Sequence, residues 1–389
     1  MASLKAYVES QDFDDIPSGV RPTEYFEKHE SIQILDIDQR QCIFHVYTSN
    51  LSEACMRENP VLVFIHGGGF SGMSWAQVAK LCTEKGLPII AFDLIGHGLS
   101  GYAPASSSVT GDNGSQFQPP QAKVKNFSIT RFVDDVIKIL KNILVRKEHV
   151  GGENASPPRI VLIGHSMGGA IATHTMHAAR VRLDDMVEVV GLVVVDVVEG
   201  TALASLPHME DFIKKIPTDF KTVDDGIEYV CNTMLQVNGR ASRETIKASV
   251  YSRLRFCHND KVYRWRTNLI DTQPYWHGWY KDMSLHFLGN GDGNEGKPRN
   301  MVKKLLVVAG MDRLDTPLTI AHMQGKFQYK NVPNSGHVIH EENPHVFFDL
   351  LMNFCKVQGL FSHSKEALEK KIQNAWTAVT PLETGQNQK

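Results

Sequence analysis

Short apolar runs alternate with helix-period segments along most of this chain. Residues 60–65, 87–92, 160–163, 187–195 and 303–309 are dominated by β-branched and other apolar side chains, as in strands buried on both faces. Residues 75–85 and 170–179 read as helices. Residues 126–146 give the clearest amphipathic pattern: Phe132, Val133, Val136, Ile137, Ile139, Leu140, Ile143 and Leu144 fall on one helical face, and Ser128 or Thr130 can cap it. Residues 31–37 and 41–47 alternate apolar and polar positions, which predicts a hairpin turning at Asp38-Gln39. A last strand at 326–332 and a closing helix at 344–358 complete the rhythm. Strand–helix repetition of this kind predicts an α/β fold with a mostly parallel central sheet flanked by helices.

The rhythm breaks between 201 and 299. Helical patterns at 205–216, 223–235 and 242–256 stand beside an aromatic cluster of Tyr263, Trp265, Tyr275, Trp276, Trp279, Tyr280 and Phe287. Placed between two sheet strands, this segment predicts a helical cap over the core formed by 31–200 and 300–358. The rings fit the cap's own core. Alternatively, Trp276, Trp279 and Tyr280 line a substrate or partner surface, where aromatic anchors are common. Residues 1–30 predict a mobile leader anchored at Tyr25-Phe26. Residues 101–123, 149–156 and 289–300 are rich in small and polar residues and predict flexible loops. A tail covers 359–389, with a helical stretch at 364–378.

The candidate chemistry lies where apolar runs end. The run at 160–163 passes into Gly164-His165-Ser166-Met167-Gly168 and then into a helix, the context of a G-x-S-x-G nucleophile elbow. There Ser166 is the nucleophile and the Met167 N–H faces developing negative charge. The run at 60–65 ends in His66-Gly67-Gly68-Gly69, where Gly68 and Gly69 leave backbone N–H groups open to the same oxyanion. His66, Asp93 and His97 read as groups that hold loops in shape. Of the 17 histidines, His337 follows the last strand behind Gly336 and is the candidate base, while His340 reads as structural. Three carboxylates compete as the acid: Asp312 and Asp315 after the penultimate strand, and Asp196 after the strand that follows the elbow. Spacing does not choose among them.

Composition narrows the partners. The chain has 389 residues, 42% hydrophobic and 22% charged, and a net charge of −2. No basic block points to nucleic acid, and no apolar run approaches the about 18 residues of a membrane span. The first ten residues lack a signal peptide's apolar core. The six cysteines (Cys42, Cys55, Cys82, Cys231, Cys257, Cys355) form no C-x-x-C pair, which predicts reduced thiols in a cytoplasmic or nuclear protein.

Several segments resemble one family beyond the elbow itself. Gly164-His-Ser-Met-Gly-Gly-Ala-Ile-Ala, Val195-Asp-Val-Val-Glu-Gly-Thr-Ala, Tyr275-Trp-His-Gly-Trp, Ala309-Gly-Met-Asp-Arg-Leu-Asp, Met323-Gln-Gly-Lys-Phe-Gln and Gly336-His-Val-Ile-His-Glu are similar to the protein phosphatase methylesterases, over roughly residues 20 to 355. The resemblance implies an α/β-hydrolase fold and a serine carboxylesterase. Such an enzyme removes the methyl ester from the C-terminal leucine of the phosphatase 2A catalytic subunit, free or within its core complex or holoenzyme. It implies the triad Ser166, Asp196 and His337, no cofactor, no metal, and a cytoplasmic to nuclear location. The segment after Cys257 is short, where some relatives carry an acidic insert, and the loops at 101–123 and 289–300 look expanded. The rival readings are a small-molecule carboxylesterase or lipase of the same fold, and a phosphatase-binding protein with an idle elbow.

Overall fold

The structure is a computed structural model that describes residues 19–103, 124–145, 156–183, 186–234, 243–289, 302–310 and 314–361. The predicted tail helix at 364–378 and most of the loops at 101–123, 149–156 and 289–300 lie outside the described residues. Strands β1 (Lys28–Leu35) and β2 (Gln41–Ser49) form the predicted hairpin, longer at its open end, with Lys28 opposite Thr48. Phe26 is buried and its ring lies 5.1 Å from Tyr47. Residues 19–30 therefore belong to the packed body, which corrects the leader expected to run to residue 30; residues 1–18 are outside the description. Next come β3 (Val61–Ile65) and β4 (Ile89–Phe92), then β5 (Gly101–Tyr102), which pairs with β2 where a loop was expected. β6 (Arg159–His165) and β7 (Glu188–Val195) follow.

The main sheet is completed by β11 (Lys303–Val308) and β12 (Gln328–Asn331), in the order β1-β2-β4-β3-β6-β7-β11-β12, with β5 beside β2. From β4 to β12 every pairing is parallel. The chain runs outward from β3 to β4 and then returns to the other side of β3 with β6. The loops after β3 and β6 thus leave neighbouring strands where the winding reverses, the place such sheets gather their ligands. Alternate residues of β3 show why the strand is apolar throughout. Val61, Val63 and Ile65 join a core containing Ile137 and Leu140 of the helix Ile129–Leu144. Leu62 and Phe64 join a second core with Trp75, Val78, Phe347 and Leu351 on the opposite face.

The segment expected to be a helical cap is not all helix. The helices Glu199–Lys214, Val223–Tyr229 and Arg243–Arg253 are present. The pattern at 223–235 changes to a π-helical turn from Val230, and the helix at 242–256 stops at Arg253. Its last residues instead form β9 (Leu254–Cys257), which pairs with β10 (Val262–Trp265) and, through it, with β8 (Asp219–Phe220). Phe256 in β9 and Val262, Tyr263 and Trp265 in β10 suit a pleated strand better than a further helical turn. Trp265 fills this small sheet's face, its ring edge-on to Phe220 at 5.2 Å. No helix among the described residues is long and apolar enough to cross a membrane. The six cysteines are free thiols.

One buried cation ties the amphipathic helix to the hairpin. Arg131 is fully buried; its Nη1 donates to Asp36 Oδ2 at 2.7 Å and its Nε donates to Asp135 Oδ2 at 2.7 Å. Burial pushes the Asp135 carboxyl up to about 7 despite the neighbouring guanidinium. Removing one partner of such a cluster leaves uncompensated charge in the core. Arg131→Met is expected to cost about 3 to 5 kcal/mol in urea denaturation; a loss below about 1 kcal/mol would contradict this account of the cluster.

Candidate active site

Strand register brings the site together. His165, the last residue of β6, is paired with Val195, the last of β7, and Val195 is paired with Val307 on β11. Ser166 and Asp196 are each one residue further on, so both leave the same carboxyl edge side by side. Ser166 N–H donates to Val195 O at 2.9 Å, and Asp196 N–H donates to Val307 O at 2.8 Å. Both then turn sharply, with φ of 51° at Ser166 and 53° at Asp196. Non-glycine residues held in that region cost of order 1–3 kcal/mol each, and packing around them must impose it.

The glycines of the elbow have a steric reason. A Cβ on Gly164 would stand 2.1 Å from Gly168 O, and one on Gly168 would stand 2.3 Å from Ile65 O. The chain therefore closes backbone on backbone between β3, β6 and the helix Met167–Arg182. Ser166 sits at the N-terminus of that helix, half-buried. The loop after β3 lies against it: the outward face of Gly68 looks at Met167 Sδ, and Gly69 takes a φ of 76°. His66 shapes this loop. Its Nε2 accepts from Leu94 N–H at 2.9 Å, so its Nδ1 is the donor to Gly67 O at 2.8 Å. Burial pushes its basicity far down, so the ring is neutral.

His337 hangs over the edge from the loop after β12. Its Nδ1 meets Asp196 Oδ2 at 2.7 Å, while Asp196 Oδ1 accepts from Ala309 N–H at 2.8 Å. The Asp196 side chain is fully buried, and the His337 ring is 46% exposed, which leaves it open to a substrate. Of the competing carboxylates, Asp315 is occupied elsewhere. It caps the helix Thr316–Met323 by accepting from Leu318 N–H at 3.0 Å, and it accepts from Ser284 Oγ at 3.3 Å. Asp312 lies outside the described residues. His340 is fully buried and stacks on Trp75 at 3.9 Å. Asp93 accepts from Gly72 N–H at 2.7 Å and Leu99 N–H at 2.8 Å, and burial raises its carboxyl to about 6.

The three aromatics offered as a partner surface are placed otherwise. Trp276, Trp279 and Tyr280 are all buried in the main core. Trp276 Nε1 donates to Thr272 Oγ1 at 2.8 Å and Trp279 Nε1 donates to Phe127 O at 2.7 Å. The indole N–H groups are thus satisfied inside the protein, which agrees with the core reading of these rings and corrects the alternative of a partner surface. Tyr280 lies near Ser166, and burial pushes its hydroxyl up to about 12.

Sequence reasoning also missed Glu342. Its carboxylate accepts from Gly336 N–H at 2.6 Å and from Val338 N–H at 3.2 Å, gripping the backbone on both sides of His337. A Cβ on Gly336 would stand 2.7 Å from Glu342 Oε1, so a larger residue there would have to displace the carboxylate. The only signal in the sequence is an acid five residues after the histidine, which the short helix Ile339–Glu342 folds back. Among the described residues no group of three or more His, Cys, Asp or Glu side chains is arranged to hold a metal.

The chain as a whole is similar to named proteins. The family model described as alpha/beta hydrolase family matches residues 62–350. The chain is 34% identical to the probable protein phosphatase methylesterase 1 of Caenorhabditis elegans, over 80% of this chain and 72% of that protein. It is 32% identical to protein phosphatase methylesterase 1 of Mus musculus, over 86% and 82%. It is also 32% identical to the protein of that name in Schizosaccharomyces pombe, over 76% and 74%. Among solved structures it resembles E-2-(acetamidomethylene)succinate hydrolase in fold, with a TM-score of 0.57 at 15% identity, covering 84% of this chain and 99% of that one.

Glu342→Ala is expected to lower turnover of a p-nitrophenyl ester by about tenfold or more, since two charge-assisted hydrogen bonds are lost. Unchanged turnover in a folded variant would show that the grip on His337 is dispensable.

Proposed function

The chain belongs to the α/β hydrolase family and, within it, to the protein phosphatase methylesterases, and on that premise we propose that it hydrolyses the methyl ester on the C-terminal leucine of the phosphatase 2A catalytic subunit. The observation that carries the chemistry is the pairing of His337 with buried Asp196 on the edge where Ser166 turns out of β6.

In this reading His337 takes the Ser166 proton through Nε2, and Ser166 Oγ attacks the ester carbonyl. The N–H groups of Met167 and of the Gly68–Gly69 loop receive the oxyanion, where one donor is typically worth about 3 kcal/mol. The protonated His337 then gives its proton to the departing methoxide, and methanol leaves. Water, deprotonated by the same ring, attacks the acyl-serine and releases the leucine carboxylate and Ser166. Asp196 keeps the Nδ1 proton of His337 facing away from Ser166 and stabilises the charged ring.

A methyl ester offers little surface to recognise, so selectivity falls to contacts with the phosphatase beyond its terminal leucine. That contact is assigned to the expected cap at 201–299, whose Leu269 stands beside Gly68 and Gly69, with the core at 31–200 and 300–358 carrying the reaction. The partner is the catalytic subunit, free or in its core complex or holoenzyme, and the place of action is the cytoplasm and nucleus where that phosphatase works.

Methanol release from carboxymethylated phosphatase 2A catalytic subunit tests the reading. The wild type is expected to act far better on the whole subunit than on a short leucine methyl ester peptide. Ser166→Ala should lose about four orders of magnitude or more of rate. Preference for small esters, with no gain from the folded subunit, would favour a small-molecule esterase instead.

A further inference from the structure

His165 touches each of the three segments that build the site. It immediately precedes Ser166, so it belongs to the elbow strand. Its Nε2 lies 2.8 Å from the backbone carbonyl oxygen of His337. A carbonyl oxygen only accepts, so Nε2 carries the proton and Nδ1 is the bare nitrogen. Nδ1 is turned toward the oxyanion loop, where it would stand 2.8 Å from a Cβ on Gly67. The ring also meets Phe70 of that loop edge-on at 5.6 Å, and packs at 4.7 Å from both the His337 and His340 rings.

Nothing in the reaction uses this ring directly. It is fully buried, and Nδ1 has no hydrogen-bond partner among the described residues. A buried imidazole with one bare nitrogen is an expensive residue for a place that an apolar side chain could fill. Burial and the neighbouring histidines keep it neutral. A neutral, fixed tautomer suits a donor whose task is geometric. It holds the carbonyl of His337 while Glu342 holds the N–H groups on either side, so the backbone of the base is fixed at three points.

We infer that His165 is a positioning residue that sets the His337 loop and the oxyanion loop at a fixed distance from Ser166 through its Nε2 proton. The inference rests on reading Ser166 and His337 as nucleophile and base. It adds that the residue before the nucleophile is the gauge between them. The elbow strand thereby measures out its own base, and Gly67 is glycine because the gauge occupies the space beside it.

Side-chain chemistry separates this from a packing role. A Gln amide nitrogen reaches about as far as His Nε2, whereas an Asn amide reaches only as far as Nδ1, and Phe keeps the ring without a donor. The test is the rate at which a fluorophosphonate labels Ser166 in the full-length chain, corrected for folded protein by circular dichroism, beside kcat and KM on the methylated phosphatase. His165→Asn and His165→Phe are expected to slow labelling and lower kcat by about tenfold, as loss of one buried hydrogen bond implies, with KM little changed. His165→Gln should recover labelling to within about threefold of wild type. Should His165→Phe fail to fold, the Asn and Gln pair still decides. Equal rates in the Asn and Gln variants, or a fall in thermal stability with labelling of the folded fraction unchanged, would overturn the inference. A wild type that fluorophosphonate does not label at all would instead overturn the reading of Ser166 as nucleophile, a separate outcome.

Discussion

The turn at Ser166 is the constraint on which the carboxyl edge of the sheet depends. A residue with a side chain is held at φ 51°, between a strand and a helix packed so closely that Gly164 and Gly168 have no room for a methyl group. The bond from Ser166 N–H to Val195 O ties that turn to β7, and the next residue of β7 makes the same kind of turn at Asp196. Strain at both positions is therefore shared through one ladder. Parallel pairing supplies the remainder: because β6 and β7 end in register beside β11, Ser166 and Asp196 start from a common line.

The candidate base reaches that line from further away and is held more elaborately. His337 comes from a loop with no ladder of its own beyond β12, and its placement rests on side chains. Asp196 takes Nδ1, Glu342 takes the N–H groups of Gly336 and Val338, and His165 takes the His337 carbonyl. Fixing the backbone of a loop residue from both sides restores the order that a strand would have given. A catalytic histidine needs its ring placed to a fraction of an ångström, because misplacement by about 1 Å costs on the order of a hundredfold in rate.

Much of this was legible in the chain. Strands with both faces buried are apolar throughout, so β3, β4, β6, β7 and β11 could be read as runs, and the elbow and the His-Gly-Gly-Gly loop could be placed at their ends. What was not legible depends on contacts remote in sequence. Three carboxylates stood after sheet strands, and only their places in the fold distinguish Asp196, beside His337, from Asp315, which caps a helix. Trp276 and Trp279 fitted both a core and a partner surface, because composition does not say which face of a short helix is covered. Their indole N–H groups turned out to meet Thr272 and Phe127 inside the core. Strand β9 was hidden at the end of an apparent helix, since a four-residue strand carries too short a pattern to outvote the helix before it. His165 was read only as a variable letter of the elbow motif, and its contact with a carbonyl 172 residues later has no local signature.

Strand register places Asp196, and not Asp312 or Asp315, as the partner proposed for the base. The most direct measurement is the rate of methanol release from methylated phosphatase catalytic subunit by Asp196→Asn, compared with Asp312→Asn and Asp315→Asn at equal folded concentration. A fall of about a thousandfold or more is expected for Asp196→Asn alone, because an amide there no longer fixes the histidine tautomer. Near-normal release by Asp196→Asn, or a comparable collapse in Asp312→Asn with the fold intact, would contradict it.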